Sequence, residues 1–193
     1  FLSKEIPLVA EIPSLGRVKK NFLIQQKDRS ILAESFRILL TNMQVHLKKR
    51  FDDKNSKVIM LTSSSKGEGK TFTTMNLGIT MANSNKRVLL IGADLRNPQM
   101  QRYINNPENY IGLSEYLSEE AQIDEIVRQS NIHANLDMIY SGSIPYNPSE
   151  LLRCDRLEYL FNEMKSRYDY ILVDTAPSML VADTAIISEF ADL

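Results

Sequence analysis

Lys70, Thr71, Asp94 and Asp174 are the residues of this chain best placed by type and spacing to handle phosphate. The first two close the run Ser63-Ser64-Ser65-Lys66-Gly67-Glu68-Gly69-Lys70-Thr71. From Ser64 this run reads S-x-x-x-x-G-K-T, the phosphate-loop pattern with serine in place of the first glycine. Gly67 and Gly69 permit the backbone angles that turn successive N–H groups inward around phosphate oxygens. A helix opening beside Gly69 aims its positive dipole end at the same oxygens. Lys70 is placed to reach the β- and γ-phosphates, and the Thr71 hydroxyl to take a position on Mg²⁺. Ser65 through Phe72 (Ser65, Lys66, Gly67, Glu68, Gly69, Lys70, Thr71, Phe72) form the expected nucleotide-binding set. A plainer alternative stays open, in which Ser65 and Glu68 form a capping box at a helix start.

The two aspartates follow short apolar runs. Val88-Leu89-Leu90-Ile91 leads through Gly92-Ala93 to Asp94, and Tyr170-Ile171-Leu172-Val173 leads to Asp174. Open α/β sheets bind ligands at the carboxyl ends of their strands, so both carboxylates fall where a nucleotide is expected. Asp174 is read as the Walker B aspartate, holding Mg²⁺ directly or through water. Asp94 is a candidate for Mg²⁺ or for the nucleophile's proton, or else a turn cap before Pro98. Lys70, Asp94 and Asp174 are the catalytic candidates; Thr71, Asp94 and Asp174 are the metal candidates.

Elements that could position these residues are legible on either side. Val58 to Leu61 is an apolar run entering the loop, and Phe72 to Met81 reads as the helix leaving it. Ser30 to Lys49 is a second helix, with Ile31, Leu32, Ser35, Phe36, Leu39, Met43 and Leu47 on its apolar face. Lys48-Lys49-Arg50 suit its C-terminal end. Short helices are expected at Gly112–Leu117 and Ile123–Val127, and a strand at Leu136–Tyr140. A further helix runs from Pro148 through Met164. Alternating β and α segments imply an α/β fold: a doubly wound, mostly parallel sheet with helices on both faces. Residues 1–28, with Ile6-Pro7 and Ile12-Pro13, read as a juxtamembrane arm or linker, and 29–193 as the nucleotide-binding domain.

Composition narrows the class. The chain has 193 residues, 43% of them apolar, with seven glycines and seven prolines, which fits one ordered globular domain. A single cysteine, Cys154, leaves no disulfide framework or zinc motif. His46 and His133 have no spaced ligand partners and read as surface or packing residues. No apolar run spans a bilayer. Residues 1–57 carry twelve Lys/Arg against six Asp/Glu (+6), and the rest eleven against eighteen (−7). Basic residues are favoured on the cytoplasmic side of a membrane, so the arm is either juxtamembrane or simply solvated. The basic residues do not alternate with aromatics, so no nucleic-acid partner is expected. The start at Phe1 and the stop at Glu189-Phe190-Ala191-Asp192-Leu193 read as a fragment whose C-terminal part is missing.

With these motifs in place, the chain resembles the cytoplasmic domain of bacterial tyrosine kinases, in the branch that includes septum-site and chromosome-partitioning ATPases. The phosphate loop follows that family's T-S-S-x-x-G-E-G-K-[ST] from Thr62 to Thr71. Asp94, Arg96 and Pro98 match D-x-D-x-R-x-P. Asp169 to Pro177 follow Y-D-Y-I-[IL]-[IV]-D-T-x-P, and Pro148-Ser149-Glu150-Leu151-Leu152 is shared. The resemblance implies ATP and Mg²⁺ as ligands and autophosphorylation of a tyrosine-rich C-terminal tail supplied by a neighbouring subunit. It implies a membrane-embedded polysaccharide chain-length determinant as partner or parent chain, at the cytoplasmic face of the bacterial inner membrane. Two positions depart from the pattern. Gly92 stands where the first aspartate of D-x-D belongs. The ring-forming E-x-x-R-x-x-R reads Glu34, Arg37, Leu40, so a homo-oligomer would rest on Glu34 and Arg37. Tyr103 to Tyr170 are expected to pack rather than to be phosphorylated. Two alternatives remain: a partitioning-type ATPase switch, weakened by Ser65 where that group carries lysine, and an ATP-binding scaffold, suggested by Gly92.

Overall fold

A computed structural model describes residues 7–14, 22–50, 56–103, 111–178 and 182–193. Its centre is a five-stranded sheet in the order β1-β5-β2-β4-β3, built from β1 (Lys57–Leu61), β2 (Val88–Gly92), β3 (Arg128–Gln129), β4 (Leu136–Ile139) and β5 (Tyr170–Asp174). The first four in that order run parallel, and β3 pairs antiparallel with β4 at the edge. Parallel strands covered on both faces need apolar residues at every position rather than every other one. β2 meets this in full, being buried from Val88 to Gly92.

Side-chain alternation sorts the core into two layers. Ile59, Leu90 and Leu172 face α1 (Ile31–Arg50) and α2 (Lys70–Asn83). Val58, Leu89, Ile91, Ile171 and Val173 face the other side, where α3 (Leu113–Leu117), α4 (Ile123–Ile126), α6 (Asp155–Arg167) and α7 (Asp183–Ser188) lie. The doubly wound reading therefore holds. α1 buries Leu32, Phe36, Leu40, Met43 and Leu47, so its inward stripe is shifted slightly from the expected one. Leu40 belongs to it, whereas Ile31 is 80% exposed. Phe36 is fully buried, worth roughly 2–3 kcal/mol of transfer free energy, and its ring meets Phe72 of α2 edge-on at 6.1 Å. The side chains of Lys49 and Arg50, like Ile6 of the leading arm, lie outside the described residues.

The leading segment docks on the P-loop helix. Ile24 is buried, and its N–H donates to Asn76 Oδ1 at 2.8 Å. Asn76 Nδ2 in turn donates to the carbonyls of Phe22 and Phe72. At the opposite sheet edge, Met60 N–H donates to the Leu193 carbonyl and Leu193 N–H to that of Val58, so these last residues run beside β1.

Two expectations need correction. Pro148–Met164 is not one helix but α5 (Pro148–Leu151) followed by α6, with Cys154 extended between them at ψ 149°. The break lets α6 dock on α3: Arg156 donates to the carbonyls of Tyr116 and Ala121 and lies 4.3 Å over the Tyr116 ring. The packing role expected for the tyrosines fails at Tyr146 and Tyr159, which are 98% and 62% exposed.

Candidate active site

Three strand ends converge. Register sets Leu61, Asp174 and Gly92 side by side at the carboxyl ends of β1, β5 and β2. The loop leaving β1 therefore passes directly over the aspartate that ends β5. Gly67 and Gly69 adopt φ of 93° and 96°, the left-handed region open to glycine. Gly69 caps α2 without a side chain, so the helix begins on bare N–H groups.

Helix geometry then points two side chains at one carboxylate. Lys70 Nζ donates to Asp174 Oδ1 at 2.9 Å, and Thr71 Oγ1 donates to Asp174 Oδ2 at 2.7 Å. Asp174 is 2% exposed. Burial pushes its carboxyl above the ordinary value; Lys70 and Thr71 pull it back, and the nearby Asp94 charge adds to the rise. Thr71 and the two buried carboxylates are hard oxygen donors, the kind that suits Mg²⁺.

Above this floor lies a cavity of about 500 Å³. Lys66, Gly67, Gly69, Lys70, Thr71 and Phe72 form its loop side. Asp94, 5% exposed, enters from the end of β2. One Asp94 oxygen also accepts the Asn97 N–H at 3.0 Å, so Asp94 caps this turn as well as lining the cavity. Ser65 and Glu68 stand apart from the cavity. The Glu68 carboxylate folds back onto the Ser64 and Ser65 N–H groups at 3.1 and 3.0 Å, fixing the loop's entry rather than capping α2. The capping-box alternative is thereby excluded, because the helix starts after Gly69.

The wall opposite the loop includes Arg96, Gln99, Arg102 and Tyr103. Burial, with the Asp174 charge adding to it, raises the Tyr103 phenol above its ordinary value and keeps it neutral. Arg96 is held from behind. Its Nε donates to Asp183 Oδ2 at 2.7 Å, and its Nη2 donates to Asp183 Oδ1 at 3.3 Å and to Ser149 Oγ at 2.9 Å. The Ser149 hydroxyl also donates to Asp183. Neither Asp183 nor Ser149 stood out as a site residue in the sequence; only the Pro148–Leu152 segment did.

Gly92 lies against the far side of this floor. A Cβ there would sit 2.9 Å from Ser141 Oγ and 3.2 Å from Met100 Sδ, so a side chain could enter only if both moved.

Known proteins resolve the family. The profile of a family described as an AAA domain matches residues 56–190. Tyrosine-protein kinase YwqD of Bacillus subtilis is 35% identical over 177 residues, which cover 92% of this chain and 72% of that protein. This chain belongs to the bacterial tyrosine-protein kinases. The putative tyrosine-protein kinase EpsB of Ralstonia solanacearum is 37% identical over 160 residues, but these span only 20% of its length. The BceF tyrosine kinase domain superposes with a TM-score of 0.80 at 34% identity, covering 95% of this chain and 77% of that one. A septum site-determining protein MinD from Pyrococcus horikoshii, at 20% identity and a TM-score of 0.59, shares the P-loop fold. The kinase fold and nucleotide-binding class follow from these matches.

Proposed function

We propose that this kinase domain transfers the γ-phosphoryl group of ATP to a tyrosine hydroxyl on a neighbouring chain. The observation that carries this reading is the convergence of Lys70 and Thr71 on the buried Asp174, beneath a cavity that also receives Asp94 and Arg96. Phosphoryl transfer proceeds through a loose transition state, so positioning and charge neutralisation provide most of the rate. The loop N–H groups and Lys70 hold the β- and γ-phosphates. Mg²⁺, held by Thr71, Asp94 and Asp174, would supply further neutralisation of phosphate charge. The acceptor oxygen forms its bond to the γ-phosphorus as the bond to the β-phosphate oxygen breaks. ADP leaves, and the phenolic proton passes to Asp94.

In this reading the acceptor is a tyrosine-rich tail and the wider role is control of polysaccharide polymerisation and export, with a membrane-embedded chain-length determinant as partner at the inner membrane's cytoplasmic face. Support comes from the tyrosine-kinase names of the relatives and from the basic leading segment. Among the described residues no helix is long and apolar enough to cross a membrane.

The test is incubation of the full chain with Mg²⁺, ATP and a glutamate–tyrosine copolymer, with phosphotyrosine read by mass spectrometry. Wild type is expected to label the polymer; Lys70→Met and Asp94→Asn are expected not to. ATP binding without any phosphotyrosine would sink the kinase reading and favour the ATP-binding scaffold that Gly92 suggests.

A further inference from the structure

The Arg96 side chain joins two environments. Its Nε/Nη2 edge is spent on Asp183 and Ser149, while the side chain remains 41% exposed and lines the nucleotide cavity. No partner of Nη1 exists among the described residues. Asp183 is fully buried, its side chain 1% exposed. Burial alone would raise its carboxyl, but the hydrogen bonds from Arg96 and Ser149 reverse this and hold it below the ordinary value. The carboxylate is therefore ionised at neutral pH, and it grips the guanidinium from behind.

Such a grip matters because arginine has several freely rotating bonds, and ordering it costs conformational entropy. A fork held on one edge presents the other edge already ordered. Three elements build the grip: the turn after β2 supplies Arg96, the first turn of α5 supplies Ser149, and the first residue of α7 supplies Asp183. The shared Pro-Ser-Glu-Leu-Leu segment thus acquires a physical task, since Pro148 starts α5 and sets Ser149 onto Asp183.

Building on the phosphotransfer reading, we infer that Asp183, with Ser149, is a positioning residue of this kinase domain. It fixes Arg96 so that its outward N–H edge takes up negative charge on the phosphoryl group as it moves from ATP. Preorganised donors of this kind act chiefly on the transition state, where the charge develops. The assignment concerns Arg96 as the donor and Asp183 as the group acting through it. It accounts for a buried carboxylate paired with a half-exposed guanidinium beside the cavity.

Aluminium fluoride with ADP mimics the phosphoryl group in transit and needs no acceptor. The full chain is titrated with a fluorescent ADP and Mg²⁺, with and without aluminium fluoride. Wild type is expected to bind more tightly when the fluoride is present. Arg96→Ala and Asp183→Asn should each lose at least about tenfold of that gain, taken as the ratio of ADP affinities with and without the fluoride so that any change in ADP binding alone divides out. Asp183→Asn added to Arg96→Ala should cause no further loss, because one acts through the other. Ser149→Ala should lose less, and it replaces Asp183→Asn if that variant fails to fold. Additive losses, or a fluoride-dependent gain that survives both Asp183→Asn and Ser149→Ala, would overturn the inference, as would a wild type that gains nothing from the fluoride. A gain in wild type without phosphotyrosine in the polymer assay would leave the Arg96 assignment standing and sink the kinase reading instead.

Discussion

Two buried aspartates flank the cavity, each bonded to one cation and one hydroxyl, and they are biased in opposite directions. Asp174 carries Lys70 and Thr71, yet burial and the neighbouring Asp94 leave its carboxyl raised. Asp183 carries Arg96 and Ser149, and these bonds leave its carboxyl depressed. The difference lies in their surroundings: burial weighs more heavily on Asp174 and the Asp94 charge adds to it, while at Asp183 the bonds from Arg96 and Ser149 outweigh burial. Arg96 meets Asp183 with two parallel N–H groups, whereas Lys70 meets Asp174 as a single point charge. A single-point contact leaves the lysine able to turn toward an incoming phosphate. A pair that stabilises its own ionisation stays closed. The first behaves as the moving part of the site and the second as its frame.

The largest effect should come from removing the moving cation. Lys70→Met leaves Asp174 buried with only Thr71, and phosphotransfer should fall by about a thousandfold or more, given what phosphate-stabilising cations contribute. Initial rates of polymer labelling at saturating ATP measure it. A loss under about tenfold would mean that Lys70 does not serve the reacting phosphates.

The same substitution at the two aspartates should then separate their roles. Asp183→Asn removes a bonded charge and should cost about 1–3 kcal/mol. Asp174→Asn removes a carboxylate whose ionised form the fold disfavours. It also strands the Lys70 ammonium, whose side chain is only 8% exposed, so the ligand-free protein should lose about 3 kcal/mol or more, and Mg²⁺-ATP should no longer raise its melting temperature. The sign with pH follows the same logic. Asp183, depressed in the folded state, stabilises the protein above the ordinary carboxylate range near pH 4, and that contribution fades as pH falls through its lowered pKa. Thermal melts from about pH 6 to 3 should therefore fall less steeply for Asp183→Asn than for wild type. Equal shifts at both aspartates would erase the distinction between frame and moving part.

Much of the moving part was legible in the sequence, and the frame was not. Lys70 and Thr71 sit in a contiguous pattern, and Asp94 and Asp174 each follow a run of buried-strand residues, so local order points to them. The bond from Arg96 to Asp183 spans 87 residues and links three turns with no shared pattern. The α5–α6 break was hidden for a related reason: Leu151 to Arg156 contain nothing that forbids a helix, and the interruption serves the docking of Arg156 on α3. The loop glycines were legible by type. Gly92 was legible only as a departure, until its closeness to Ser141 and Met100 showed that a side chain there needs both to shift.

That closeness gives the next test. Gly92 pairs with Asp174 across β2 and β5, so Gly92→Asp would add a third carboxylate to the floor and push on Ser141 and Met100. It should cost about 1–3 kcal/mol by overpacking, and Ser141→Gly should recover part of this. Restored stability together with faster transfer would show that a carboxylate at this position is compatible with the site.

The smallest effect belongs to a third ion pair, which is exposed. Arg37 Nη1 meets Glu34 Oε2 at 2.8 Å on α1, with the two side chains 44% and 61% exposed. Water screens such a pair, and Glu34→Ala should change stability by less than about 0.5 kcal/mol. If Glu34 and Arg37 meet a second copy, as the family pattern suggests, the substitution should instead appear in sedimentation as a shift toward smaller species at fixed concentration. Because the pair contributes almost nothing within the chain, any change in assembly can be assigned to contacts between chains. An unchanged sedimentation profile in a sample that does form oligomers would remove Glu34 from the interface and leave its bond to Arg37 as a local feature of the helix surface.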